Sequence, residues 1–408
     1  MVYFQLGWRN IWRNRRRTLV ILTAVVIGIW SMISLGALMR GTANQMVRNG
    51  ISTLTGHIQV HYTGYRNDPV IENRMTHPEE VEKTLEQTLP PDALWASRVR
   101  VNAIASNARH SSGITMVGIE PREEAKISFI GEAVTEGRSL EPDEKNGIVV
   151  GRALADKFET KLGRKLVLMS QDTNQEIASH AFRIVGIFRA EMQATEEEFA
   201  FISLSEAQKM LKLKEGISEI SIILPDYRNA EPVAHMVQGA LDSGTYEVHT
   251  WRELLPMSTA ILEMYDWFIF LWFLVIFIAM GFGIVNTTLM AVFERIREFG
   301  LFKALGMKPW WIVREVLTES FYLLILGMCI GNGLGLLTVF ALSGSGIDLS
   351  ALAAGLEYVG MSRVIYPAIQ IKDILTANVV VFVLGLLVSA YPAIKAARFT
   401  PVEALAYT

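Results

Sequence analysis

Four stretches of this sequence hold no charged residue and are long enough to cross a lipid bilayer: Leu19 to Met39, Trp267 to Phe293, Ser320 to Ile347 and Ile374 to Ile394. A hydrocarbon core about 30 Å thick is crossed by about 20 helical residues. Lipid offers the backbone no hydrogen-bond partner, so each stretch is expected to be a helix. The fold class follows: a membrane α-helical protein with four transmembrane helices. The apolar part of the first stretch exceeds the usual core of a secretion signal, and no small-residue cleavage site follows it before Arg40. A retained helix over 19–41 is therefore expected rather than a cleaved leader.

Loop charges set the expected orientation. Arg9, Arg13, Arg15, Arg16 and Arg17 precede the first helix, and Arg295, Arg297, Lys303, Lys308 and Arg314 crowd the link between the second and third. Lys395 and Arg398 follow the fourth. The link between the third and fourth sets only Arg363 and Lys372 against Asp348, Glu357 and Asp373. Positive charge stays on the cytoplasmic side, which places both termini and the second link there. In segment 1–18, Phe4, Leu6, Trp8, Ile11 and Trp12 alternate with Arg9, Asn10, Arg13 and Asn14, a pattern that suits the headgroup layer as well as simple flanking charge. The expected order is then 1–18 cytoplasmic, 19–41 helix, 42–266 external domain, 267–293 helix, 294–319 cytoplasmic link, 320–347 helix, 348–373 external loop, 374–394 helix and 395–408 cytoplasmic tail.

The external segment reads as a folded α+β domain inserted between helices 1 and 2. Gly56 to Tyr62 alternates as a strand does, and Ile148 to Val150, Lys165 to Met169, Phe182 to Phe188 and Glu219 to Leu224 are further expected strands. Glu79 to Gln87, Arg152 to Lys161 and Ser205 to Leu213 have helical spacing, with Ser205 as the expected cap and Gln208 three residues on. Thr42 to Leu54 and Trp251 to Asp266 read either as helical stalks or as ordinary juxtamembrane turns.

Several chemistries are excluded. The chain has no Gly-x-x-x-x-Gly-Lys-Ser/Thr phosphate loop, no His-Glu-x-x-His and no Gly-x-Ser-x-Gly. His57 and His61 share a strand face without a third or fourth ligand, so they read as exposed strand histidines rather than a metal site. Glu191 with Glu196, Glu197 and Glu198 reads as a solvated acidic loop. A net charge of -3 gives no reason to expect a nucleic acid partner. Within the helices the polar groups are few, chiefly Asn286, Thr287, Thr288, Ser320, Asn332, Thr338, Asn378 and Ser389. A conventional polar ion pathway needs more than these.

The run Asn286-Thr-Thr-Leu-Met-Ala-Val-Phe-Glu-Arg-Ile-Arg-Glu-Phe-Gly-Leu-Phe-Lys-Ala-Leu-Gly-Met-Lys-Pro-Trp-Trp-Ile312 resembles the signature of FtsX/MacB-type ABC transporter permeases. Tyr391-Pro392-Ala393, Ala396-Ala397 and Thr400-Pro401-Val402-Glu403-Ala404-Leu405 resemble the family's closing pattern. The order of parts agrees over nearly the whole chain, and the layout is closest to the lipoprotein-releasing permease subunits. It departs from the macrolide exporters in lacking a fused nucleotide-binding domain, and from the bacitracin-sensing type in having four helices rather than ten.

The resemblance implies a membrane subunit in a bacterial inner membrane, its large domain periplasmic or extracellular, with no catalytic site and no directly bound cofactor. ATP and Mg would belong to a separate ABC ATPase dimer. The matching residues Glu294, Arg297, Glu298, Gly300, Lys303, Ala304, Gly306 and Met307 would couple to that ATPase. Two docking grooves on such a dimer call for a second permease chain, a copy or a paralogue. Gly327, Gly331 and Gly335 have small-residue packing spacing, with the neighbour in the same chain or in that second chain. Movement or extraction of lipoproteins or other amphiphiles by mechanotransmission is the leading functional expectation, with membrane lipid and a periplasmic protein or lipoprotein as further partners. A non-transporting regulator of a cell-wall hydrolase and an adaptor-linked exporter of peptides or amphiphiles are the alternatives.

Overall fold

The structure is a computed structural model that describes residues 12–142, 144–348 and 364–406. Two compact units make up the chain, an external domain built from 46–260 and a helical unit that takes in the sequence before and after it.

The external domain is organised on one mixed ten-stranded sheet. In chain order its strands are β1 (Ile58–Tyr62), β2 (Leu94–Ser106), β3 (Ser111–Ile119), β4 (Val134–Gly137), β5 (Gly147–Gly151), β6 (Lys165–Gln171), β7 (Ile177–Phe188), β8 (Phe199–Ser203), β9 (Glu219–Ile223) and β10 (Tyr246–Thr250). The spatial order is β10-β1-β9-β2-β3-β8-β5-β7-β4, with β6 pairing both β2 and β7. Pairing is antiparallel except for β3 with β8 and β5 with β7. Both faces of the central strands are covered. In β5, Ile148 and Val150 enter one apolar core with Met116 and Phe182, while Val149 enters a second with Val117, Phe188 and Phe201. A strand buried on both faces is apolar at every position, so it shows no alternation. That is why Phe199 to Ser203 carries no strand signal of its own.

Charge is buried in this domain as well. Arg98 is fully buried, grips Glu124 through two hydrogen bonds of 2.7 and 2.8 Å and lies 3.3 Å from Glu219. It also donates to the carbonyl of Leu54, which accepts from Gln59 Nε2 at 3.1 Å. Leu54 has φ of 68°, a conformation that costs an L-residue about 1–2 kcal/mol. The Arg98 and Gln59 bonds, with burial of the Leu54 side chain, hold it there. His61 and His57 are buried, not exposed as the strand pattern implied. His61 stacks on Tyr65 with its Nε2 3.7 Å from Glu219, and His57 Nδ1 accepts from Leu224 N–H at 2.8 Å. Burial holds the His57 imidazole below its ordinary pKa. For Glu219 burial acts upward, but the bond from His61 and the charges of Arg100 and Arg98 outweigh it and bring the carboxyl to about 2.

Other local expectations change. Glu196 lies in the helix Gln193–Glu198 and is buried, accepting from Ala153 N–H at 3.0 Å and Ala190 N–H at 2.9 Å, so this acidic run is partly structural. Ser203, not Ser205, caps the helix Leu204–Met210 by accepting from Glu206 N–H. The helix from Arg152 stops at Lys157, where Glu159 turns to φ of 48°.

In the helical unit, α1 is Arg15–Gly50, α2 Pro256–Glu294, α3 Ile296–Ala304, α4 Pro309–Ser345, α5 Ile371–Arg398 and α6 Pro401–Ala406. Helices α1, α2, α4 and α5 are each long and apolar enough to cross a membrane. The third span ends at Ser345 rather than Ile347, because Gly346 takes φ of 69° and Ile347–Asp348 pairs with Val364–Ile365 as a two-stranded ribbon. Phe4, Leu6, Trp8, Arg9 and Ile11 of the expected surface segment, and Glu357 and Arg363 of the third link, lie outside the described residues.

Helices α1 and α4 lie in close contact along one stripe. A Cβ at Gly327 would stand 2.6 Å from Val25 Cγ1, one at Gly331 2.8 Å from Ile29 Cβ, and one at Gly335 2.9 Å from Ile33 Cβ. The neighbour of this stripe is thus the chain's own first helix. Apolar side chains of all four long helices fill the bundle, among them Ile29, Phe277, Leu323 and Val381. Some of the polar groups pair with one another, Asn332 and Asn378 exchanging hydrogen bonds of 2.7 and 2.9 Å and Trp30 donating to Thr338 at 2.9 Å, whereas Ser34 Oγ and Trp272 Nε1 are buried without a hydrogen-bond partner among the described residues. At one end Arg40 of α1 reaches Asp266 of α2 at 2.8 Å and Asp373 of α5 at 3.2 Å.

Candidate functional site

At the opposite end of the bundle α2 breaks, and a short helix is turned across it. Arg295 leaves helical geometry, with φ of -107° and ψ of 9°, and α3 starts at the next residue. Its far end is closed by a Schellman turn. Gly306 has φ of 90°, its N–H donates to the Lys303 carbonyl at 3.0 Å, and Met307 N–H donates to the Phe302 carbonyl at 3.0 Å. Pro309 then opens α4 at a position where its missing N–H costs nothing.

The inner face of α3 is fastened at three places. Phe299 is buried in an apolar cluster with Ile312, Val313 and Val316 of α4 and Ala393 and Ala396 of α5, and Ile296 is buried as well. Gly300 faces α6, where a Cβ would stand 2.6 Å from Ala404 Cβ. Lys303 Nζ donates to the carbonyl of Ala397 at 2.9 Å and to that of Phe399, placing a cation on the negative end of α5. Helix α6 is itself set by a capping box. Thr400 N–H donates to Glu403 Oε2 at 2.9 Å, and Glu403 N–H donates back to Thr400 Oγ1 at 3.3 Å.

An ion network ties this assembly to the starts of α1 and α4. Arg295 is 7% exposed. Its guanidinium reaches Glu298 at 3.1 Å, Glu315 at 2.5 Å and Glu319 at 3.6 Å. Arg17 pairs with Glu319, Arg13 with Glu298 at 2.9 Å, and Asn14 donates to Glu294 at 3.4 Å. The buried Arg17 and Arg295 thus each have a carboxylate partner, so no isolated charge is buried. Burial pushes the Glu298 carboxyl up, and the bonds from Arg295 and Arg13 outweigh it, holding it below the ordinary carboxylate range.

The outer face is different. Leu301 is 52% exposed, Leu305 77% and Trp310 57%. Arg297 and Ala304 are exposed beside them. The residues singled out in the sequence therefore fall into two groups. Glu298, Gly300, Lys303 and Gly306 hold the helix in place, and Met307 closes its turn. Arg297, Ala304 and Glu294 are exposed. The sequence reading missed Arg13, Arg17 and Arg295 as network members and took them for topogenic charge; it also missed Leu301 and Leu305. The one available signal was that Glu315 and Glu319 stand four apart at the mouth of an apolar helix, where a carboxylate needs a partner. The arrangement sets exposed Leu301 and Leu305 on a base of paired charges. Among the described residues no cluster of three or more His, Cys, Asp or Glu could hold a metal ion.

Comparison with known proteins places these parts. The MacB-like periplasmic core domain matches residues 18–240, more than half of the chain, and the FtsX-like permease C-terminal region matches residues 269–401. The chain belongs to the FtsX/MacB-type ABC transporter permeases. Among its relatives, a lipoprotein-releasing system transmembrane protein LolC from Xylella fastidiosa is 23% identical over 423 aligned residues, covering 98% of each chain. A LolE protein of the same system from Haemophilus influenzae is 21% identical, covering 98% of each. A macrolide export ATP-binding/permease protein MacB from Vibrio parahaemolyticus is 23% identical, covering 96% of this chain and 58% of that protein. For this permease, α3, α4, α5 and most of α2 lie within the FtsX-like match, as do the network residues Arg295, Glu298, Glu315 and Glu319.

Proposed function

We propose that this permease is the membrane subunit of an ATP-driven complex, and that a separate ABC ATPase dimer docks on the outer face of α3. The observation that carries the reading is the contrast across that helix. Its inner face is fixed by Gly300 on α6, by Lys303 on the end of α5 and by the Arg295 network, while Leu301 and Leu305 stand in the open. An exposed leucine pair on a rigid charged base is suited to insertion in an apolar cleft. In this reading the α3 end, with both termini, is cytoplasmic, as the arginine-rich flanks favour, and Arg297 and Glu294 guide docking at the rim.

The push reaches the external side through α1 and α2. They have 36 and 39 residues, or about 54 and 58 Å of helix at 1.5 Å per residue, well beyond a core of about 30 Å. The cargo is a lipoprotein or another amphiphile taken from the outer leaflet of the inner membrane, in keeping with four long apolar helices that carry few polar side chains. A second permease chain completes the complex.

The test is ATP-dependent release of an acylated lipoprotein from vesicles holding the permease and its ATPase. Release that stops with an ATPase-dead partner supports extraction. Release that continues unchanged sinks it, and capture of a wall hydrolase without release moves the reading to a transmembrane regulator.

A further inference from the structure

Where α4 and α5 leave the coupling end, their outer surfaces part to form an apolar groove of about 700 Å³. Phe321 and Phe382 stack edge to face at 5.8 Å in its wall, and Val383, Leu387 and Ala390 continue it along α5. The groove runs from Arg314 to Phe321 on α4 and from Phe382 to Ala390 on α5, about 10–12 Å along the axis. That is most of the half-thickness, about 15 Å, of a hydrocarbon core. Thr318 adds no free donor, since its hydroxyl donates to the Arg314 carbonyl at 2.7 Å.

The groove ends on a cation. Arg314 is exposed, and its guanidinium lies 6.0 Å from the centre of the Trp310 ring. Among the described residues it forms no ion pair with a carboxylate, unlike Arg13, Arg17 and Arg295 nearby in sequence or space. Exposed Lys308 stands just before α4, and exposed Arg398 ends α5 eight residues past Ala390. Trp310, Trp311 and Tyr391 are exposed at this end, where aromatic rings suit the headgroup layer.

We propose that this groove binds an anionic glycerophospholipid of the leaflet at the coupling end, with one acyl chain between α4 and α5 and the phosphate on Arg314. A basic rim over an apolar cleft between membrane helices fits an anionic headgroup and its chain together. A helix from a second copy would fill the apolar part and leave Arg314 without a counter-charge. The extracted cargo belongs to the other leaflet in the reading above, so this lipid is a resident of the bundle rather than a substrate.

The experiment is native mass spectrometry of the full chain in mild non-ionic detergent, titrated with phosphatidylglycerol and, in parallel, phosphatidylethanolamine. The expected result is a bound phosphatidylglycerol favoured at least tenfold over phosphatidylethanolamine. Arg314→Gln should abolish the preference, and Val383→Trp, which places an indole in the groove, should remove both lipids, while Lys372→Gln at the far end of α5 changes neither. Both test positions face outward, so an unchanged melting temperature is expected and guards against a folding defect. Equal binding of the two lipids by the unaltered chain, or a preference that survives Arg314→Gln, would overturn the proposal. So would a dimer mass that Val383→Trp dissociates, since the groove would then be an interface between copies.

Discussion

Alanine at Gly331 should weaken the bundle, whereas alanine at Gly333, two residues along the same helix, should not. A Cβ at Gly331 meets Ile29 Cβ at 2.8 Å, Ile29 Cγ2 at 3.0 Å and the Val26 carbonyl at 3.0 Å. Two of these atoms belong to a β-branched side chain with little rotameric freedom and the third is backbone, so α1 must retreat by several tenths of an ångström. Overpacking of this kind costs about 1–3 kcal/mol, and the helix propensity gained over glycine returns about 1. A net loss of about 1 kcal/mol is expected at Gly331. The triple replacement of Gly327, Gly331 and Gly335 should lose up to about 3, less if the first retreat relieves the others. At Gly333 no atom lies within 4 Å of the added Cβ, so only the propensity gain applies. Reversible unfolding of the full chain in mixed micelles reads both values. If Gly331→Ala is as stable as Gly333→Ala, the close approach of α1 and α4 is not what holds the bundle.

Three further outcomes follow from the same geometry. Arg295→Met leaves Glu315 without the partner 2.5 Å away and Glu319 with Arg17 alone, which should cost about 3–5 kcal/mol in the same unfolding assay; Arg295→Lys should restore little of it, since an ammonium cannot span three carboxylates. Glu219 has its folded pKa lowered to about 2 from an ordinary value of 4.5. Its contribution is therefore present above pH 4.5 and is lost as pH falls towards 2, on the order of 3 kcal/mol in all. Acid titration of the full chain by circular dichroism should show that loss, and Glu219→Gln should flatten it. Gly306→Ala should cost about 1 kcal/mol at φ of 90°, with Gly306→Asn costing less, as melting temperatures would show.

The membrane helices and the family were legible because each rests on a continuous run: uncharged residues of spanning length, and the contiguous segment from Asn286 to Ile312. The sheet was legible only in part. Lys165 to Met169 and Glu219 to Leu224 show a strand pattern, but β2 carries Ser97, Arg98, Arg100 and Asn102, and the burial of Ser97 and Arg98 depends on partners far away in sequence. Arg98 is the clearest case, because nothing local tells that Glu124, Glu219 and the Leu54 carbonyl converge on it. His57 and His61 misled for the same reason, since a strand histidine reads as exposed until β9 and β10 are known to flank it. At the α3 end Glu298, Gly300 and Lys303 stood out in the sequence, whereas Leu301, Leu305, Glu315 and Glu319 did not. Their division into an inner, fastened face and an outer, open one depended on α6 and on the ends of α1 and α4, which the sequence does not bring together.

Co-purification most directly tests whether α3 is where the ATPase docks. The tagged permease and its Leu301→Asp/Leu305→Asp variant would be isolated from native membranes in mild detergent, and the proteins recovered with each identified by mass spectrometry. Recovery of a separate ABC ATPase with the unaltered chain, lost with a variant whose melting temperature is unchanged, is the predicted result. Equal recovery with both chains, or no ATPase with either, would contradict it.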